Sequence, residues 1–314
     1  IKKLIIKKGV TGIVDSTFKE CINLSCVKIP NSVTYIGYKA FGNCISLRSI
    51  EIPNSVTCIW EYAFYGCSSL SSIEIPNSVT IIGHGAFYGC SSLSSIEIPS
   101  SITGIGPHVF EHCSSLSSIE IPNSVTSIDS DAFYGCSSLS SIEIPNSVTS
   151  IRDRAFYGCS SLSSIGIPNS ITRIGDAVFE HCSSLSSIEI PNSVTSIELC
   201  MFWGCSSLNN IRIPNSVTRI RSEAFYGCNS LTDVYYTGNK TQWEKIEINS
   251  DGNEQLSNAT IHYNDTVLTD KKFNLSIKSP VIFENSNSIS VDFEASTLGN
   301  VANEEKAITW KSNN

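Results

Sequence analysis

The 314-residue chain is 41% apolar and only 16% charged, so neutral polar groups must cover whatever exterior it builds. It carries a net charge of −8, with no Lys or Arg between Arg48 and Arg152 and no Lys between Lys39 and Lys240. The clustered cations that phosphate binding needs are therefore missing there, which makes nucleic acid and anionic membrane surfaces poor partners for the array, and no apolar run is long enough to span a bilayer.

Ile1-Lys2-Lys3-Leu4-Ile5-Ile6 is too short for a signal peptide and has no small-residue cleavage site. With the unclosed end at Lys311-Ser312-Asn313-Asn314, the chain is expected to be a mature or excised piece of something longer. From about residue 4 to residue 231 a single unit of 23 residues recurs without insertion. Cys21, Cys44, Cys67, Cys90, Cys113, Cys136, Cys159, Cys182, Cys205 and Cys228 mark its period. A fixed period in this range specifies a solenoid, in which each unit buries its apolar edge against its neighbours.

Within one unit, Leu70-x-x-Ile73-x-Ile75 alternates around Ser72 and Glu74 and predicts a short strand with the Ile residues inward. Pro76 lacks an N–H and ends ladder pairing, Asn77-Ser78 makes a turn, and Val79-x-x-Ile82 supplies a second extended segment. Ala86-Phe87-x-x-Cys90-x-x-Leu93 has the spacing of a short helical turn. Stacking in register pairs each strand in parallel with its counterpart, about 4.8 Å per unit. The Cys column, flanked by Phe and Leu, reads as a ladder of reduced, buried thiols whose parallel Cβ vectors do not suit a disulfide dihedral. The remaining three of the thirteen cysteines, Cys26, Cys58 and Cys200, break the register and are expected to be more exposed.

The pattern L-x-x-I-x-I-P-x-S-V-T-x-I-x-x-x-A-F-x-x-C-x-x-L resembles the BspA-type leucine-rich repeat of bacterial and parasite surface proteins. The resemblance covers about ten tandem copies and carries no catalytic residue with it. It implies an α/β repeat solenoid, a leucine-rich-repeat array with a parallel strand ladder over residues 1–236, at an extracellular or cell-surface location. Val109-Phe110-Glu111-His112-Cys113 returns three units later as Val178-Phe179-Glu180-His181-Cys182, which suggests growth by multi-unit blocks. Residues 237–263, with Trp243, Ile246, Leu256 and Ile261, are apolar enough to cap the open end. Residues 264–314 alternate in strand fashion, and Ile308-Thr309-Trp310 resembles a strand of bacterial immunoglobulin-like domains, so a partial β-sandwich module is expected there.

Three columns are candidate binding positions. The outward strand position reads Lys28, Glu51, Glu74, Glu97, Glu120, Glu143, Gly166, Glu189, Arg212, Tyr235. Like charges directly opposite destabilise a sheet, so this row is either a solvated column copied with the repeat or a site for a cationic partner, weakly bound Ca²⁺ or a basic protein segment. As a glycosidase pair it fails, because a flat stripe has no cleft to set one carboxylate's pKa against its neighbour's. A second column, Tyr65, Tyr88, Tyr134, Tyr157, Trp203 and Tyr226, is interrupted by Glu111-His112 and Glu180-His181 and either recognises a partner or covers the joints between units. The third is the variable triplet before Ala-Phe. It includes Trp60 and Tyr62, His84, His108, Asp129 and Asp131, and Arg152 and Arg154, where a loop is free to drift or to encode a partner.

The five histidines read as solvated surface residues, and the chain has no metal-ligand spacing, no phosphate loop and no Ser/His/Asp arrangement. No metal and no cofactor is expected. N-x-S/T sequons at Asn23, Asn239, Asn258, Asn264 and Asn274 matter only where the source glycosylates. The expected function is a non-catalytic, surface-displayed recognition or adhesion scaffold that binds a protein on a host or neighbouring cell. The alternative is an architectural spacer.

Overall fold

A computed structural model describes residues 2–263. The expected β-module at 264–314 lies outside the described residues. Each 23-residue unit forms one coil of a parallel solenoid of about eleven coils. The Leu-x-x-Ile-x-Ile segments make the first ladder. Lys3–Ile5, Cys26–Lys28, Ser49–Glu51 and Ser72–Glu74 pair in sequence, each residue opposite the one 23 positions on. Ser187–Glu189, Asn210–Ile213, Asp233–Tyr236 and Thr260–Tyr263 continue it at the far end. A second ladder runs parallel to it through Tyr35–Ile36, Cys58–Ile59 and Ile81–Ile82, then Ser127–Ile128, Ser150–Ile151 and Arg173–Ile174, then Ser196–Ile197, Arg219–Ile220 and Glu247–Ile248.

The Ala-Phe-x-x-Cys-x-x-Leu segment is not the helical turn its spacing predicts. Cys90 N–H bonds to Phe87 O (3.0 Å) and Leu93 N–H to Cys90 O (2.9 Å), which are tight three-residue turns. Between them, the amides of Gly85, Phe87 and Gly89 reach across to the carbonyls of Pro107, Val109 and Glu111 in the next coil, at 2.7–3.0 Å. A helix would keep those amides for its own carbonyls four residues back. Bonding to the next coil uses them in register instead, and the same pattern repeats along the array. Helix among the described residues is confined to Lys240–Trp243 and Glu254–Asn258.

The core is a set of columns. Phe18, Phe41, Phe64, Phe87, Phe110, Phe133, Phe156, Phe179, Phe202 and Phe225 stack face to face at 5.4–5.9 Å between centroids. Full burial of each ring is worth about 2 kcal/mol, and each stacked pair adds about 0.5–1.5 kcal/mol. Beside them the Cys column is buried from Cys44 to Cys228, and all thirteen cysteines are free thiols. The thiols are more than small hydrophobes. Each donates to the Phe carbonyl of the preceding coil, as Cys136 Sγ does to Phe110 O at 3.1 Å, and the nine such bonds span 3.1–3.3 Å. Of the three unmatched cysteines, Cys26 is exposed and Cys200 half-buried, but Cys58 is buried, contrary to expectation. It sits at the first position of a second-ladder strand, against Ile81 and Tyr35.

Both ladders are interrupted at the same two junctions. Among the described residues, no strand pairing joins Ser72–Glu74 to the coil of Phe110, or Ser164–Gly166 to Ser187–Glu189. Backbone bonds of the kind Thr126 N–H makes to Thr103 O and Asp129 N–H to Ile105 O (each 2.9 Å) are missing there too, at Thr103, Gly106, Thr195 and Glu198. Each seam adjoins a coil with Ile, Val, Glu and His where the others have Val, Ala, Tyr and Gly. The seams are held by the turn side, through Phe87 N–H to Val109 O and Phe179 N–H to Met201 O, each 3.0 Å.

Residues 237–263 form the last coil, longer than the others, with Arg219 opposite Glu247 and Asp233 opposite Thr260. Ile246 and Leu256 are buried on the array, and Trp243, Ala259, Ile261 and Tyr263 pack partly buried against it. Asn239 and Gln242 form a reciprocal capping box on the first short helix. The closing residue is Asn253, 1% exposed. Its Oδ1 accepts Phe225 N–H (3.1 Å), and its Nδ2 donates to Arg221 O (2.8 Å) and Asn249 O (2.7 Å). One side chain thus replaces backbone groups that a further coil would have supplied.

Asn253→Ala leaves the buried Phe225 amide without a partner and removes the bond to the Arg221 carbonyl, at a cost of about 2 kcal/mol. Thermal melting should show the loss, and Leu256→Ala should match or exceed it, because it opens a cavity as well. The thiol column makes the fold sensitive to alkali. Burial raises the Cys44 pKa to about 11 and holds those of Cys67, Cys90, Cys113 and Cys159 well above the ordinary thiol value. In the unfolded chain a thiol ionises near pH 8.5 or so, so there the unfolded state binds fewer protons than the native one. Stability is therefore full below that pH and falls as pH rises toward the folded values. Denaturant midpoints measured at pH 7, 9 and 10 should decline steeply across the last two.

Candidate functional site

The outward residue of each first-ladder strand is placed by the pleat, and the in-register stacking turns it into a row. Lys28 lies opposite Glu51, Glu51 opposite Glu74, Glu97 opposite Glu120, and Glu120 opposite Glu143. All six glutamates of the row, Glu189 included, are exposed. At the far end Glu189 meets Arg212 (3.5 Å). The row is thus bracketed by a cation at each end, while among the described residues Glu74, Glu97, Glu120 and Glu143 have no cationic partner. Beside its first half runs an open trough of about 990 Å³, lined by Glu51, Glu74 and Glu97 together with Asn31, Asn54 and Asn77. Like-charge contact costs about 0.2–1 kcal/mol per pair, small against the Phe column beneath, so the fold tolerates it.

The Tyr column is bridged, not broken, at Glu111. Where Glu111 takes the Tyr position, the His112 ring fills the gap, edge-on to Tyr88 (5.8 Å) and to Tyr134 (5.3 Å). His181 does the same beside Tyr157 (5.4 Å). Tyr134 and Tyr157 stack at 4.4 Å, and Trp203 and Tyr226 meet at 5.1 Å. These histidines are exposed, as expected, but their rings also belong to the row, and they accept φ of 58° and 59° to reach it, where neighbouring coils have Gly. Tyr65, Tyr88, Tyr134, Tyr157 and Trp203 are half-buried and Tyr226 is exposed, so the row both covers the joints and presents its edge to solvent. Glu180, displaced beneath it, has its carboxyl pKa raised by burial.

The triplet before Ala-Phe is not a free loop. Its third residue takes the left-handed conformation in every coil, including Tyr62 (φ 56°), His108 (59°), Asp131 (57°) and Arg154 (55°). Such a conformation is costly for a residue with a Cβ. It is held because each of these amides donates to the next coil, for example Tyr62 N–H to His84 O and Arg154 N–H to Asp176 O, both 2.9 Å. Several side chains are committed to one another. Asp131 is 3% exposed, with its carboxylate on Arg154 (3.0 Å) and 3.8 Å from His108, which itself bonds Glu111 (2.5 Å). Asp129 pairs with Arg152 (2.7 Å), and Arg221 bridges Asp176 and Glu198. Trp60 and His84 remain exposed.

The structure therefore gathers the Glu residues into one row and the aromatic residues into another. It divides the triplet into internal ion pairs and a few free side chains. Among the described residues no three His, Cys, Asp or Glu groups converge to hold a metal ion, and no helix is long and apolar enough to cross a membrane. The left-handed column, the His insertions and Asn253 escaped the sequence reading. Only a His in a Gly position signalled the second of these.

A family model described as BspA type leucine-rich repeat region matches residues 1–117 and 104–232. Among solved structures the chain is similar to a leucine-rich cell surface protein from Faecalibacterium prausnitzii A2-165. That match has 28% identity over 80% of this chain and 91% of that one, with a TM-score of 0.45. It is similar also to a leucine-rich repeat protein from Bacteroides ovatus ATCC 8483 (29%; 84% and 84%; TM-score 0.39) and to a leucine-rich repeat protein of T. pallidum (30%; 59% and 78%; TM-score 0.43). No curated protein matches the chain.

If the glutamate row is a strained surface feature, its neutralisation should stabilise the array. Glu97→Gln with Glu120→Gln should raise the melting temperature in low salt by a few degrees, and the gain should shrink in 0.5 M NaCl as screening removes the repulsion.

Proposed function

The chain belongs to the BspA-type leucine-rich repeat family, whose arrays are protein-interaction scaffolds, and from that premise we propose that it is a surface-displayed recognition module that binds without chemistry. Its contact face is the strand face, and its partner is a protein segment rich in Lys or Arg lying along the glutamate row. The observation that carries this reading is the in-register run Glu97, Glu120 and Glu143 without cations, with Glu74 and Glu97 both lining a trough open to solvent. Where the array needs neutralisation it supplies it, as at Arg212 on Glu189 and Arg152 on Asp129. At Glu74, Glu97, Glu120 and Glu143 it leaves four charges for a partner. Opposite charges across such an interface chiefly raise the association rate and fix register.

A Glu74/Glu97/Glu120/Glu143→Gln variant should bind a Lys-rich peptide at least tenfold more weakly in about 50 mM salt than the wild-type chain does, while melting higher. Wild-type affinity should fall as salt is raised. Equal binding by variant and wild type removes the strand face as the contact surface. Titration of both proteins with Ca²⁺ in the same buffer tests whether the row takes a divalent cation instead.

A further inference from the structure

Away from the strand face, on the turn side near the start of the array, the Lys39 ammonium lies over three tyrosine rings. Its Nζ is 4.8 Å from the centroid of Tyr38 and 5.5 Å from those of Tyr62 and Tyr65. Among the described residues no carboxylate pairs with it, unlike Lys19 on Glu20 or Lys240 near Glu244. The charge is therefore met by the three rings and by a hydrogen bond to Tyr38 rather than by a carboxylate, and the rings are arranged as aromatic cages arrange them around cations.

The cage walls are held independently of the lysine. Tyr62 meets Tyr38 edge-on (6.3 Å, 90°) and Tyr65 edge-on (6.2 Å, 89°). Tyr65 Oη accepts a hydrogen bond from Asn43 Nδ2 (2.8 Å). Two glycines make room for the rings. A Cβ at Gly42 would come within 2.3 Å of the Tyr65 ring, and one at Gly85 within 2.4 Å of the Tyr62 ring. Both glycines fall in columns where most coils carry a side chain, so the space is specific to this part of the array. Lys39 itself is half-buried against the rings, on a flexible four-carbon stem that can swing away from them.

We infer that Tyr38, Tyr62 and Tyr65 form a binding site for a quaternary ammonium group, a trimethylammonium headgroup of the choline type, which Lys39 fills in its absence. A primary ammonium is strongly hydrated and gains little from leaving water for the rings. A quaternary ammonium is weakly hydrated and apolar at its surface, so it gains both the cation–π attraction and the contact area. Lys39 then acts as a tethered competitor that keeps three tyrosines from standing open. The site lies on a different face from the glutamate row and is independent of the function proposed for it.

The test uses the full chain, its Lys39→Met variant, and choline chloride as probe, with 3,3-dimethylbutanol as the neutral isostere. Saturation transfer from protein to the N-methyl protons reports contact, and titration gives the affinity. Removing the competitor should tighten choline binding by about tenfold, a plausible size for one displaced cation–π contact. The isostere should bind more weakly than choline. Tyr62→Leu or Tyr38→Leu in the Lys39→Met background should abolish the signal while circular dichroism and the melting transition stay near wild type. The inference is overturned if Lys39→Met shows no N-methyl transfer, if the isostere binds as well as choline, or if the folded tyrosine variants bind unchanged.

Discussion

The structure depends on the hydrogen bond between equivalent residues of successive coils. Thr126 N–H to Thr103 O, Phe133 N–H to Ala155 O and Gly135 N–H to Tyr157 O are three instances, each joining residues 22 or 23 positions apart. Because the bonds run in register, a 23-residue period in the chain becomes a set of straight columns in space. Phe stacks on Phe, thiol follows thiol, and an outward Glu is forced beside the next Glu. The same bonds hold two left-handed positions per coil that would be costly in isolation, and they override the helical turn that Ala-Phe-x-x-Cys would form alone.

Columns also determine how energy is distributed. Phe burial and stacking are worth a few kcal/mol per unit, well above the repulsion along the glutamate row. The fold can therefore carry a surface that is unfavourable by itself, provided the core beneath is uniform. Where the core varies, at the coils with Val109 and Val178, both ladders lose pairing at the adjoining junction. The array is thus three blocks joined mainly through the turn side. Nearest-neighbour coupling of this kind lets local departures stay local.

The ends and edges show the same constraint from the other side. The last coil departs from the repeat, so the coil before it needs substitutes for the backbone groups a regular successor would offer, and the buried Asn253 amide meets the Phe225 N–H and the Arg221 carbonyl while also bonding Asn249 O in its own coil. At the aromatic row a Tyr lost to Glu111 is replaced by the neighbouring His112 ring, because an unfilled slot between Tyr88 and Tyr134 would expose both joints. At the Lys39 cage, two glycines give up side chains so that two tyrosines can lie flat. Position in the register, more than residue type, decides what each side chain touches.

The sequence by itself determined the period, the inward columns of Phe, Cys, Leu and Ile, the two extended segments and the row of outward glutamates. All of these follow from side-chain alternation and a repeat without insertions. It could not determine the backbone of the variable triplet. The left-handed position there holds Lys39, Tyr62, Asp131, Arg154 and Glu223 with no preference for Gly that would betray it. Nor could it show that Asp131 is buried against Arg154, that Cys58 faces inward, or that His112 stands in for a tyrosine. Those outcomes rest on contacts between residues 22 to 24 positions apart. They exist only once one coil lies on the next and hydrogen bonding between coils has fixed which groups meet.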